Sequence, residues 1–197
     1  MNKMLELIKT RRSTRKYQAR PVETEKIDAI VEAGRYAPSG GNNQTTHFFV
    51  IKDPSVLEEL ARIVKSEFAQ MEVTPGMYPS LAHSIRASKG EEYIFHYNAP
   101  VLIVTANKKD YGNAIADCAC ALENMMLAAN ALDLGSCWIN QLKWLNDSEP
   151  LLALFRSFGM EEDERVWGAV SIGYAETEDG LPPRKPLERK GNPVTMV

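Results

Sequence analysis

Cysteine is scarce in this chain of 197 residues: Cys118, Cys120 and Cys137 are the only three, too few and too irregular in spacing for a disulfide framework. Histidine is equally sparse. His47, His83 and His96 share no ligand spacing, so each reads as a surface or structural residue and no metal site is expected. There is no G-x-S-x-G elbow, H-E-x-x-H helix, Walker A loop or G-x-G-x-x-G after a strand, which removes the common hydrolytic and nucleotide-binding signatures. No apolar run approaches the roughly 20 residues of a membrane helix, and the segment Met1-Asn2-Lys3-Met4-Leu5-Glu6 lacks the apolar core of a secretory leader. No membrane association and a cytoplasmic location are therefore expected. A basic surplus is missing too. The 23 Lys+Arg face 26 Asp+Glu, a net charge of −3, which argues against nucleic acid as a partner.

What is present is ordinary globular composition, 44% hydrophobic and 25% charged, in a length suited to one domain over residues 1–197. Met4, Leu5 and Ile8 suggest a short first helix, and Ile27, Ile30, Val31 and Gly34 a second, with Thr24 as its cap. Ala37 to Asn43 is a loop by composition, and His47 to Lys52 a strand. Asp53-Pro54 opens a helix with a capping carboxylate and a proline in the first turn. Residues 71–97 are broken by Pro75, Gly76 and Pro79 and are expected as a less regular, mobile insertion bearing a helix within 80–94. Pro100 to Ala106 reads as a buried strand. Asn113 to Leu134 reads as a helix with an unusually broad apolar face, stopped by Gly135. On it Cys118 and Cys120 point to nearly opposite sides and are expected as buried apolar thiols, not a metal pair. A short strand at 136–139, a helix from Ser148-Glu149-Pro150 to Gly159 and a strand from Val166 to Tyr174 follow. The proline-rich tail from about 178 to 197 keeps apolar Leu181, Leu187 and Val194, so it is expected to pack along another surface. The irregular alternation favours an α+β class, a sheet with helices on its faces, over a doubly wound sheet.

The chemistry-bearing residues form an anion site in pieces. Arg11, Arg12, Ser13 and Arg15 place three guanidinium groups and a hydroxyl within five residues, and Arg184-Lys185 adds two cations near the other end. Each cluster alone reads as a solvated basic patch. Together they match what a phosphate monoester requires: bidentate arginines and a hydroxyl donor. The loop Ser39-Gly40-Gly41-Asn42-Asn43-Gln44 adds amide groups and close backbone approach, suited to a heterocycle edge or a polyhydroxylated chain.

At these residues the chain resembles the nitroreductase family of FMN-dependent oxidoreductases, through nearly its whole length. Four blocks carry the resemblance in the family's order. They are Arg11-Arg12-Ser13-Thr14-Arg15-Lys16-Tyr17; Ala37-Pro38-Ser39-Gly40-Gly41-Asn42-Asn43-Gln44; Asn98-Ala99-Pro100-Val101 leading to Asp117; and Gly135-Ser136-Cys137-Trp138-Ile139 with Ile172-Gly173-Tyr174 and Arg184-Lys185-Pro186-Leu187. The resemblance implies a nitroreductase-like α/β sandwich, a central, mostly antiparallel sheet flanked by helices, in an intertwined homodimer with FMN at the subunit interface. Arg11, Ser13, Arg184 and Lys185 would face the phosphate with Arg12 nearby, and Arg15 the N1/O2 edge of the flavin, where reduction gathers negative charge. Trp138, Ile139 and Asn140 would run past the ring and offer a backbone N–H to N5. Pro38, Ser39, Gly40, Asn42 and Gln44 would come from the partner, and the tail would embrace it.

The implied activity is ping-pong hydride transfer through flavin N5, from NADH or NADPH to nitroaromatics, quinones or similar electrophiles, with no side chain as catalytic nucleophile. Reductive dehalogenation, enone reduction, flavin breakdown and non-catalytic FMN binding are the alternatives on the same scaffold. Two departures touch the substrate face. Thr45-Thr46-His47 stands where the family usually has proline and an aromatic, and Asn140-Gln141 where many members have glycine.

Overall fold

Four strands build one antiparallel sheet in a computed structural model that describes residues 2–197. They are β1 (His47–Ile51), β2 (Val101–Lys108), β3 (Gly135–Ile139) and β4 (Glu164–Gly173), in the order β1-β2-β4-β3. β2 and β4 are therefore central. Every residue of β2 from Val101 to Asn107 is buried, because helices cover both faces of the sheet. Its side chains alternate between two apolar layers: Val101 and Ile103 enter one, Leu102 and Val104 the other. Two-sided burial explains an unbroken apolar run in an antiparallel strand.

The helices are α1 (Lys3–Thr10), α2 (Thr24–Arg35), α3 (Pro54–Ala69), α4 (Pro79–Ser88), α5 (Ala114–Ala131), α6 (Gln141–Trp144) and α7 (Glu149–Ser157). Ile27 and Ile30 of α2 with Leu122, Met125 and Met126 of α5 form the first layer. Leu60, Val64 and Phe68 of α3, Ile85 of α4 and Phe155 of α7 form the second. The α+β sandwich expected from the sequence is the observed architecture. Asp53 caps α3 as expected, its carboxylate accepting from the Ser55 amide at 2.8 Å.

Three local readings change. Thr24 is the first residue of α2 and Glu23 occupies its cap position without a capping bond; the Glu23 carboxylate instead accepts from Tyr174 Oη at 2.6 Å. Gly135 does not stop α5. The helix closes at Leu132 and Asp133 takes the left-handed backbone, φ 64°, while Gly135 opens β3. Cys118 is buried, its thiol pushed up to about 12 by that burial, but Cys120 is exposed, since residues two apart face different sides of a helix. Within 71–97, α4 lies at Pro79–Ser88, and Ile85 and Phe95 are sealed into the second layer. Beyond Gly180 the tail forms no helix or strand, and Leu187 and Val194 are exposed.

Candidate functional site

Residues 11–17 meet the outer edge of β3 at Ser13 and Thr14 and pair with Ala175, beyond the end of β4, at Tyr17. Ser13 pairs with Ser136 in a parallel bridge, and the Thr14 amide donates to the Ser136 carbonyl at 2.9 Å. Tyr17 pins the segment: its hydroxyl donates to the Thr14 carbonyl at 2.7 Å and lies 2.9 Å from Ser171 Oγ on β4. Burial raises the pKa of that phenol well above its ordinary value, so it serves as a neutral donor. A Cβ on Gly135 would fall 2.6 Å from Thr14 Oγ1 and 2.7 Å from Thr14 Cβ. Glycine there is what lets the segment lie this close to the sheet.

Of the cations of this segment, Arg11 reaches the middle of α5. Arg11 Nε lies 3.9 Å from a Glu123 carboxylate oxygen. Arg12 donates to the Lys185 carbonyl at 2.8 Å, and Arg184 donates to the Asn130 carbonyl at 2.7 Å and to the Asp133 carboxylate. Asn130 in turn donates to the Leu7 carbonyl at 3.1 Å, tying in the end of α1. The two distant basic clusters thus meet. Arg12 and Arg184 also anchor the start of the tail.

Beside this group, Arg15 stands over the Tyr97 ring, 6.0 Å from its centroid. Cys137 is buried close by; burial pushes its thiol up, and Arg15, Ser13 and Arg11 oppose the shift. At the end of β3, Trp138 Nε1 donates to Asn140 Oδ1 at 2.8 Å, and Ile139 is buried. Arg11, Arg12, Ser13, Arg184 and Lys185, with Arg15, Trp138, Ile139 and Asn140, therefore occupy one continuous region around β3 and the end of α5.

Pro38, Ser39, Gly40, Asn42 and Gln44 do not join them. The Gly40 amide donates to the Asp117 carboxylate at 3.1 Å, near the start of α5, and the Gln44 amide donates to Ser39 Oγ at 3.0 Å. Gly41, Asn42 and Gln44 all adopt positive φ, at 59°, 56° and 54°. A Cβ on Gly40 would lie 2.1 Å from Asn113 Nδ2 and 2.5 Å from Tyr111 Oη, so a side chain here would have to displace both of those side-chain ends. With Phe48 and Ala121 the loop borders a groove of about 460 Å³. Asp117 and Asn130 are 13 residues apart on one helix, a separation of about 20 Å at 1.5 Å per residue. The loop and Arg184 stand at opposite ends of α5.

Residues 8–174 match the profile of the Nitroreductase family. The chain belongs to the nitroreductase family. A putative NADH dehydrogenase/NAD(P)H nitroreductase of Archaeoglobus fulgidus is 31% identical over 178 residues, covering 90% of this chain and 88% of that one. The crystal structure of a nitroreductase with bound FMN from Bacteroides fragilis is 38% identical, superposes with a TM-score of 0.87 and covers 100% of both chains. One from Desulfitobacterium hafniense, also with bound FMN, is 25% identical at a TM-score of 0.82, covering 100% of this chain and 99% of that one.

Among the described residues of this chain, Tyr97, Asn130 and Asp133 are neighbours of the candidate site that sequence reasoning did not single out. Asn130 carried a signal, a polar residue in an otherwise apolar stretch of α5. Tyr97 carried none, because its role depends on the left-handed backbone at Tyr97 and Asn98, φ 59° and 57°.

Proposed function

We propose that this nitroreductase is an FMN-dependent oxidoreductase that draws on NADH or NADPH and reduces nitroaromatics, quinones or similar electrophiles, as a homodimer with its cofactor at the subunit interface. The observation that carries this reading is the meeting of Arg11, Ser13 and Arg184 with Arg15 and residues 138–140, while the 38–44 loop stands at the far end of α5. The donor set suits a phosphate at one end and an aromatic ring edge at the other. Arg11, Ser13, Arg184 and Lys185 would hold the phosphate, Arg15 the ring edge, and the partner's copy of the loop would complete the cradle. When bound, FMN would supply the redox chemistry between a nicotinamide donor and the acceptor.

This chain's residues bind, orient and tune. Arg15 keeps a fixed positive charge beside the ring edge, and its tyrosine neighbour limits its freedom. Arg184 must exchange the Asp133 carboxylate for phosphate, which the irregular start of the tail permits. Support for the dimer comes from unpartnered apolar surface on the same side. No residue of α1 is buried, and Met4, Leu5 and Ile8 are 57%, 52% and 46% exposed. Cys120 and Ala131 lie bare along α5, with Leu127 half-buried between them. A twofold axis crossing α5 would bring the Asp117 end of one copy to the Asn130 end of the other, which closes the gap of about 20 Å.

The test is the visible spectrum after incubation with excess FMN and desalting, before and after anaerobic NADH or NADPH. Retained flavin bands that bleach with a nicotinamide, followed by reoxidation with a nitroaromatic or quinone, are expected. Folded protein that retains no flavin would overturn the reading. Bound flavin that neither nicotinamide reduces would leave a binding protein in place of the enzyme. Arg15→Ala is expected to weaken FMN retention or slow reduction, and unchanged values of both would remove its assigned role.

A further inference from the structure

A cavity of about 500 Å³ lies between α4, residues 90–97 and the start of α6. Ser84, Ala87, Tyr93, Ile94, Tyr97 and Gln141 line it. Two of these residues tie it to the candidate site. Tyr97 stands against Arg15, and Gln141 directly follows Asn140, where β3 has ended and α6 begins. On the reading proposed above, which this inference rests on, Arg15 and Asn140 both border the flavin ring. The cavity then adjoins the ring, on the side where an electron acceptor can lie.

Gln141 is half-buried, and α4 holds its carboxamide: Nε2 donates to Ser84 Oγ at 3.3 Å. Ser84 is itself buried. A carboxamide nitrogen carries two N–H groups. Ser84 engages one, and the other has no partner among the described residues. The Tyr93 hydroxyl stands near both Ser84 and Gln141 and reaches neither in hydrogen-bond geometry. Glu91 and Glu92 also border the cavity, but they are exposed and a carboxylate only accepts. Asn140 is paired with Trp138 and does not line the cavity. We propose that Gln141 is a specificity residue of the proposed reaction, its free N–H donating to an oxygen conjugated with the reducible group of the acceptor, as in a nitro compound or a quinone. Such an oxygen gathers negative charge as electrons arrive, so a donor already fixed beside it favours reduction. An organohalide offers no oxygen of this kind, and the same contact therefore separates nitro compounds and quinones from substrates of reductive dehalogenation.

The experiment titrates tetramethyl-1,4-benzoquinone into the oxidised, FMN-loaded protein by calorimetry and records the infrared difference spectrum of the bound quinone. The ring positions of this quinone are filled, so it cannot alkylate the exposed Cys120. Wild type is expected to bind it roughly fivefold more tightly than Gln141→Met, the fold-change of one lost hydrogen bond, and to show the quinone carbonyl stretch at lower wavenumber than the variant does. If Gln141→Met fails to fold, Gln141→Asn, which withdraws the carboxamide by one methylene, is read in its place. A carbonyl stretch equal in wild type and variant would overturn the proposal whatever the affinities, since altered packing alone can change a Kd. So would the absence of saturable quinone binding by the wild-type protein. Flavin content and bleaching by a nicotinamide are read separately on the same protein. Failure of the oxidoreductase reading appears there, as lost or unbleached flavin, and failure of this proposal as an unshifted carbonyl on a protein that retains and reduces its flavin.

Discussion

Replacing Gly135 with alanine tests whether the cofactor segment is held in place by close approach to β3. The backbone at Gly135 is not left-handed, so alanine brings no φ strain; its whole effect comes from the Cβ. That atom would lie 2.6 Å from Thr14 Oγ1 and 2.7 Å from both Thr14 Cβ and Cγ2, well inside contact distance. Thr14 is buried and held by the hydrogen bond from its N–H to the Ser136 carbonyl and by the Tyr17 hydroxyl on its own carbonyl, so it cannot swing aside alone. Overpacking of this kind costs about 1–3 kcal/mol. The segment has free solvent on its other side, so much of that cost is expected to appear as displacement of Arg11, Ser13 and Arg15. Urea unfolding should show a loss of about 1 kcal/mol, and flavin-fluorescence titration a rise in FMN Kd of about tenfold, equivalent to about 1.4 kcal/mol. Thr14→Gly removes all three clashing atoms and sacrifices no side-chain hydrogen bond, because Thr14 Oγ1 has none. The double variant Gly135→Ala/Thr14→Gly is therefore expected to bind FMN more tightly than Gly135→Ala alone. An FMN Kd in Gly135→Ala equal to that of wild type, or a double variant with no recovery, would refute the reasoning.

Tyr17→Phe leaves the Thr14 carbonyl and Ser171 Oγ without their shared partner and is expected to cost about 1–2 kcal/mol in urea unfolding; an unchanged midpoint would show the phenol to be dispensable. His96 gives a pH signature. Its folded pKa lies near 4 against 6.5 in the unfolded chain, so below pH 6.5 the unfolded state binds more protons and stability falls as pH drops toward 4. The loss approaches about 3 kcal/mol at 1.36 kcal/mol per pKa unit, and His96→Phe should flatten that part of the stability profile; an unaltered slope would place the titration elsewhere. Asp133→Asn keeps a residue tolerant of positive φ but removes the carboxylate that competes for Arg184. FMN Kd is expected to fall roughly two- to fivefold, the range for an exposed ion pair, and tighter binding that fails to appear would mean Asp133 does not compete.

Signals confined to neighbouring residues were legible in the sequence. Asp53-Pro54 capped α3 as read, and the run read at Pro100 to Ala106 is, from Val101 on, the central strand β2, because caps and β-branched runs act over a few residues. α4 was harder to read for a physical reason. Its buried positions are Ala82, Ser84, Ile85 and Ser88, two of them serines, so no apolar stripe announces it. Gly135 was legible as a special position but not as the right one: helix stop and close backbone contact both demand glycine, and only the distance to Thr14 separates them. The gathering of Arg11–Arg15 with Arg184 followed from the resemblance, since no local rule joins residues more than 160 positions apart in a chain of 197. Tyr97 had no sequence signature, because its place beside Arg15 goes with two successive left-handed residues, Tyr97 and Asn98, neither of them glycine.

The placement of Gly40 and Arg184 at opposite ends of α5 has a genetic consequence under the proposed pairing. Each cradle would be completed in trans, so damage to the loop and damage to the arginines would belong to different complementation groups. Chains carrying Ser39 and Gly40 substitutions, mixed with chains lacking Arg11 and Arg184, would form hybrids in which one cradle inherits both defects and the other neither. Two inactive alleles expressed together would then restore activity, while neither would do so alone.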